Sequence, residues 1–126
     1  MKYLCLGYHD ERVMAAMSPG EREAFIAECV AFDDQLRKTG RVIDGQSLQS
    51  AATAKTIRFQ GGRMSTTDGP FTETKEQLGG FVIIEADNLN HAFRLMAEVP
   101  CRRLGGGLEI RPINEGFPAS GSGCRA

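Results

Sequence analysis

The segment from Ser18 to Thr39 spells out a helix with both ends marked, and it constrains the fold more than any other stretch. Ser18 offers an acceptor to a free backbone N–H, Pro19 suits the first helical position, and Glu21 completes a capping box. Phe25, Cys29, Phe32 and Leu36 follow as one stripe on a helix of period ~3.6. Arg37 and Lys38 complement the helix dipole at the C-terminal end, and Gly40 supplies the left-handed stop. An apolar run, Lys2 to Tyr8, precedes this helix, and Arg41 to Leu48 follows it with Val42, Ile43 and Leu48, weakened by Gly45. A helix with one apolar stripe between two strands must lie on a sheet.

The rest of the chain repeats that unit with an insertion. Thr53 to Gln60 alternates, with Ile57 and Phe59 on one face and Thr56 and Arg58 on the other. Gly61-Gly62 is a two-residue hairpin signal, and Arg63 to Thr67 is the return strand. A polar segment, Thr72 to Leu78, ends at Gly79-Gly80, which opens Phe81 to Ala86, a β-branched and aromatic run suited to a central strand. Asp87 or Asn88 caps a second helix whose expected buried stripe is Leu89, Ala92, Phe93, Met96 and Val99, with Pro100 as its end. Gly105-Gly106-Gly107 turns into an alternating last strand, Leu108 to Arg111. The order predicts an α+β class: ferredoxin-like βαββαβ with an inserted β-hairpin, an antiparallel sheet with two helices on one face. The expected domain spans 1–114, and the Gly-, Ser- and Pro-rich tail 115–126 is expected to be disordered. Two helices leave the other sheet face bare. Tyr3, Phe59, Phe81 and Ile83 cannot share one face, so a homodimer through the sheet face is expected.

Composition narrows the classes of function. Fifteen Lys and Arg balance 16 Asp and Glu, for a net charge of −1 over 126 residues, with no run of like charge. That balance argues against a nucleic-acid partner or a polybasic membrane surface. Apolar residues make up 41 %, enough for a packed core. No apolar stretch has the length of a membrane span and no signal pattern opens the chain, so the expected location is cytoplasmic. Cys5, Cys29, Cys101 and Cys124 form no C-x-x-C pair and have no His at zinc-finger spacing. Cys5 and Cys29 read as small core residues. The triple glycine precedes a strand, not a helix, and so fails the context of a phosphate loop. No metal site and no cofactor are predicted.

The stretch Asp68-Gly69-Pro70-Phe71-Thr72-Glu73-Thr74-Lys75-Glu76-Gln77-Leu78-Gly79-Gly80-Phe81 resembles the signature of the DGPF-type branch of the YCII-related proteins. Met1-Lys2-Tyr3-Leu4, Ala52-Thr53-Ala54 and Leu108-Glu109-Ile110-Arg111-Pro112-Ile113 extend the resemblance over nearly the whole chain. The resemblance implies a ferredoxin-like fold of the dimeric α/β-barrel type. It places the chain beside small lyases, isomerases and monooxygenase-like proteins that bind compact organic molecules between helices and sheet. Genes of the branch often neighbour those of extracytoplasmic-function sigma factors. Some YCII-like members have been assigned a His–Asp pair with the His on the first helix. Here that helix has none, and the two histidines are His9 and His91.

The motif admits two chemical readings. In one, Asp68 hydrogen-bonds following backbone N–H groups in a turn, Phe71 plugs the core, and the glycines allow close packing. In the other, Asp68, Glu73, Lys75 and Glu76 line a pocket mouth, where a desolvated carboxylate accepts a proton and Lys75 stabilises a developing anion. The catalytic candidates are Asp68, Lys75, Glu76 and His9, and the ligand-binding candidates are Phe71 and Glu73. His9 sits in a polar loop after the first strand, beside Asp10 but pointing away from it, and reads as a surface residue or a site residue. His91 is expected to be exposed. Two functions follow: a cofactor-free lyase- or isomerase-like enzyme acting on a small organic acid or ring compound, or a non-catalytic accessory or ligand-sensing protein linked to sigma-factor transcription.

Overall fold

A computed structural model describes residues 1–116. Four strands form one antiparallel sheet: β1 (Lys2–His9), β2 (Val42–Ser47), β5 (Gln77–Glu85) and β6 (Gly107–Pro112), in the order β2-β5-β1-β6. The long helix α2 (Pro19–Lys38) and the short α3 (Leu89–Met96) cover one face. β3 (Lys55–Gln60) and β4 (Arg63–Asp68) make a separate two-stranded sheet. The architecture is the expected α+β, ferredoxin-like one. The capping box of α2 is present, with Glu21 N–H donating to Ser18 Oγ at 3.2 Å and Ser18 N–H to Glu21 Oε1 at 2.9 Å. Gly61 and Gly62 turn the hairpin at φ of 58° and 77°, backbone that a Cβ would strain.

Alternation along β1 decides what each face holds. Tyr3 and Cys5 point to the helices and form the core with Ile84, Leu36, Ala86, Ala92 and Met96. Ile84 is fully buried, worth roughly 1.5–3 kcal/mol against an exposed position. On the other face, β1 pairs Leu4 with Ile83, Leu6 with Phe81 and Tyr8 with Leu78. These six side chains lie on the face opposite the core, and none is fully buried. Phe59 belongs to the hairpin and is 78 % exposed.

Four local expectations need correction. Glu11–Ala15 is a short helix, α1, where a polar loop was expected. Asp10 caps it by accepting from Arg12 N–H, and its own N–H reaches the carbonyl of Leu104. β5 begins at Gln77 and runs through Gly79 and Gly80, which therefore lie inside a strand. α3 has eight residues, so its stripe shortens to Ala92 and Met96, while Leu89 and Phe93 stay exposed. His91 is largely covered, because its Nδ1 accepts the N–H of Asp87 at 3.0 Å. At the far end, Ile113 N–H donates to Lys2 O, and Glu115 Oε2 accepts from Lys2 N–H at 3.1 Å. Most of the tail expected to be disordered, residues 117–126, lies outside the described residues.

Candidate functional site

Helix α2 does not close onto the sheet along its whole length. Phe25 and Leu36 are its buried anchors, and between them a cavity of about 690 Å³ separates the helix from β1, β2 and β5. Its wall is largely apolar: Phe25, Ile26, Val30 and Phe32 from α2, Val82 from β5, Met96 at the end of α3, and Val99 and Leu104 beyond it. The expected stripe member Cys29 lines this space with Cys5 and Cys101. Burial pushes all three thiols up, Cys5 to about 11, so they stay protonated at neutral pH and belong to the wall as weak nucleophiles. A second, smaller cavity of about 270 Å³ adjoins at the end of β1 and shares His9, Met14, Leu48 and Gly79 with the first.

This end is the polar one. His9 is the last residue of β1, half-buried, and lines both cavities. Among the described residues its imidazole makes no hydrogen bond to another protein group. Glu11, Arg22, Gln49 and Ser50 complete the mouth. Glu11 holds that rim together by accepting from Ser50 Oγ at 2.6 Å and Ala51 N–H at 2.8 Å. These two hydrogen bonds hold its carboxyl below the usual range, with the nearby His9 adding to the effect. The mouth therefore combines one imidazole, one fixed carboxylate and one guanidinium at the head of an apolar cleft.

The hairpin and its return carry the other candidates elsewhere. Asp68 ends β4 with its side chain 92 % exposed, 4.0 Å from Lys55 Nζ. It makes no hydrogen bond to the following backbone N–H groups. The turn is instead held from β3: Gly69 N–H donates to Ala54 O at 2.7 Å, and Thr56 Oγ1 donates to Gly69 O at 2.8 Å. Phe71 does not plug the core. It is 66 % exposed, under the Arg58 guanidinium at 4.3 Å, and Arg58 Nη2 donates to Phe71 O at 2.8 Å. Glu73 and Glu76 are exposed, and neither lines either cavity. Lys75 is also exposed, yet its charge reaches Asp10 and helps lower that carboxyl. Of the six candidates, His9 alone lines the cavities.

The residues around His9 were not legible as a group, since Glu11, Arg22 and Ser50 share no spacing motif. The one available signal was Asp10, whose pairing with Arg12 starts α1 and carries Glu11 to the rim. No group of three or more His, Cys, Asp or Glu side chains able to hold a metal ion occurs among the described residues. No helix among them is long and apolar enough to cross a membrane.

A ferredoxin-like sheet with a cleft between helix and strands defines the class, a small α+β scaffold open to compact ligands. The YCII-related domain matches residues 1–115, and the chain belongs to that family. It is 32 % identical over 114 residues to an uncharacterized protein of Rhizobium meliloti (strain 1021), covering 90 % of this chain and 92 % of that one. Among solved structures it is similar in fold to 5-chloro-2-hydroxyhydroquinone dehydrochlorinase from Burkholderia phenoliruptrix AC1100, in complex with 2,5-dihydroxybenzoquinone. That match has a TM-score of 0.55 and 16 % identity, and covers 90 % of this chain and 94 % of that chain.

Proposed function

We propose that the chain is a cofactor-free, lyase- or isomerase-like enzyme acting on a small organic acid or oxygenated ring compound held between α2 and the sheet. The observation that carries this reading is the half-buried imidazole of His9, free of protein partners, at the junction of the two cavities. A substrate ring lies on the apolar wall, and its carboxylate or enolate oxygen faces Arg22. His9 takes the proton from a carbon acidified by a neighbouring carbonyl. It then returns it to an adjacent carbon, or the electron pair expels a leaving group. Imidazole suits this task near neutral pH. Lys75, from the motif, brings a positive charge within reach of Asp10 at this end of the sheet. The dehydrochlorinase with its bound dihydroxybenzoquinone supports starting from ring compounds. Two copies meet through the face carrying Leu4, Leu6, Tyr8, Leu78, Phe81 and Ile83, giving a homodimer.

A thermal-shift screen of small organic acids and hydroxylated quinones tests the reading. A ligand at about 100 times its Kd stabilises by roughly 2.7 kcal/mol. A hit should stabilise the native chain, and turnover should fall by roughly 10²–10⁴-fold in His9→Gln. A hit that binds and turns over equally in His9→Gln overturns the assignment. Binding with no turnover of any hit points instead to a ligand-sensing protein.

A further inference from the structure

Glycines crowd the end of β1, and two of them, Gly79 and Gly106, approach His9 in different ways. On β5, Gly80 pairs with Gly7 and Leu78 pairs with Tyr8, so Gly79 is one residue too many, a β-bulge. Its carbonyl is used outward, accepting the N–H of Leu48 at 2.8 Å. Its inner side faces His9. A Cβ built there would fall closer than 3.0 Å to His9 Cε1 and Nδ1 and 3.4 Å from Nε2, so its three nearest neighbours all belong to that ring. The imidazole thus occupies the volume that any side chain at position 79 would take. Gly79 also has ordinary backbone, outside the left-handed region, so alanine there meets the ring and no backbone strain.

We propose that Gly79 is a positioning residue: the bulge in β5 and its missing side chain form a seat that holds the His9 imidazole at the mouth of the cavity. Bulges commonly re-aim a side chain beside a site, and here the re-aimed group belongs to the neighbouring strand. The inference rests on the reading of His9 as the proton carrier. Gly106 provides the contrast. A Cβ there would meet the Tyr8 carbonyl and His9 Cα, which are backbone atoms that cannot rotate away. Gly79→Ala displaces a ring, and Gly106→Ala displaces a strand.

The test is a double-mutant cycle of Gly79→Ala and His9→Ala, read by NMR of the histidine ring protons. The chain has only two histidines, so His9→Ala assigns the spectrum by difference and His91 serves as the internal control. In Gly79→Ala the His9 Cε1–H resonance should move while that of His91 stays. The fold should be kept, and affinity for a screened ligand should drop roughly tenfold or more. In the His9→Ala background the same substitution should be neutral for stability and binding. An unmoved His9 resonance, or an equal loss of stability in both backgrounds, overturns the seat. A ring that moves while ligand binding and turnover are unchanged upholds the seat and overturns the proton-carrier role.

Discussion

Replacing Thr56 and Asp68 in turn separates two ways of building the turn that follows β4. One of the two sequence readings of the motif gives the turn to the Asp68 carboxylate, but the structure assigns it to Thr56. Thr56 is 7 % exposed, and its hydroxyl donates to the carbonyl of Gly69, a residue held at φ of 104°. Thr56→Val keeps the shape and removes that donor, leaving a carbonyl short of a partner, at a cost of roughly 1–2 kcal/mol. The hairpin packs apart from the main sheet, so the loss should appear as local opening ahead of global melting. Hydrogen exchange at the Gly69 N–H, which donates to Ala54 O, reads it directly. Protection there should fall roughly 5–30-fold in Thr56→Val, and Thr56→Ser should restore it. Asp68→Ala should change it by no more than about twofold, within the ±0.5 kcal/mol typical of surface substitutions. A larger loss in Asp68→Ala than in Thr56→Val would return the turn to the carboxylate and refute the assignment.

Asp10 carries a pH dependence. Hydrogen bonds from the Arg12 side chain and backbone N–H hold its carboxyl at about 2 against an ordinary 3.8. A depressed carboxyl contributes stability that is full above its unfolded value and lost as protons bind, so this share disappears as pH falls from about 4 to about 2. Asp10→Asn keeps a capping oxygen, and its melting curve should be flatter than the native one across that window; equal slopes would contradict the linkage. Sedimentation equilibrium at micromolar concentration should give twice 13.7 kDa, and a single 13.7 kDa species would remove the sheet-face homodimer. Gly106→Ala should lower the melting temperature clearly more than Gly79→Ala, and the reverse order would mean that His9, not the backbone, is the rigid partner.

The elements that could be read from sequence are those whose cause is local. Ser18 and Glu21 close a capping box across one turn, and Gly61-Gly62 bend the hairpin through their own dihedrals. Both readings hold because partner and cause lie within four residues. The elements that were misread depend on distant partners. α1 starts because Asp10 reaches Arg12 while its N–H finds Leu104, and the second half of that support comes from across the fold. Leu89 and Phe93 fit an apolar stripe, but α3 ends at Met96, too soon to press that flank on the sheet. The segment Asp68 to Glu76 is dense in titratable groups. Its carboxylates face solvent, and the side chains that hold the turn, Thr56 and Arg58, belong to β3, the other strand of the hairpin.

The cavity mouth shows the same limit more sharply. His9, Arg22, Ser50 and Gly79 come from four separate elements or connections, and only the order β2-β5-β1 brings their ends together. Glycine makes the point residue by residue. Gly62 is required by a positive φ, Gly79 by the ring of a side chain on the next strand, and Gly106 by the Tyr8 carbonyl on β1, at the other end of the sequence. One letter of sequence thus stands for three physical causes, of which only the first is visible without the fold. The second cause bears on function, because it couples a backbone choice on β5 to the position of the imidazole on β1. A substitution that spares every predicted site residue can therefore still move the proposed chemistry.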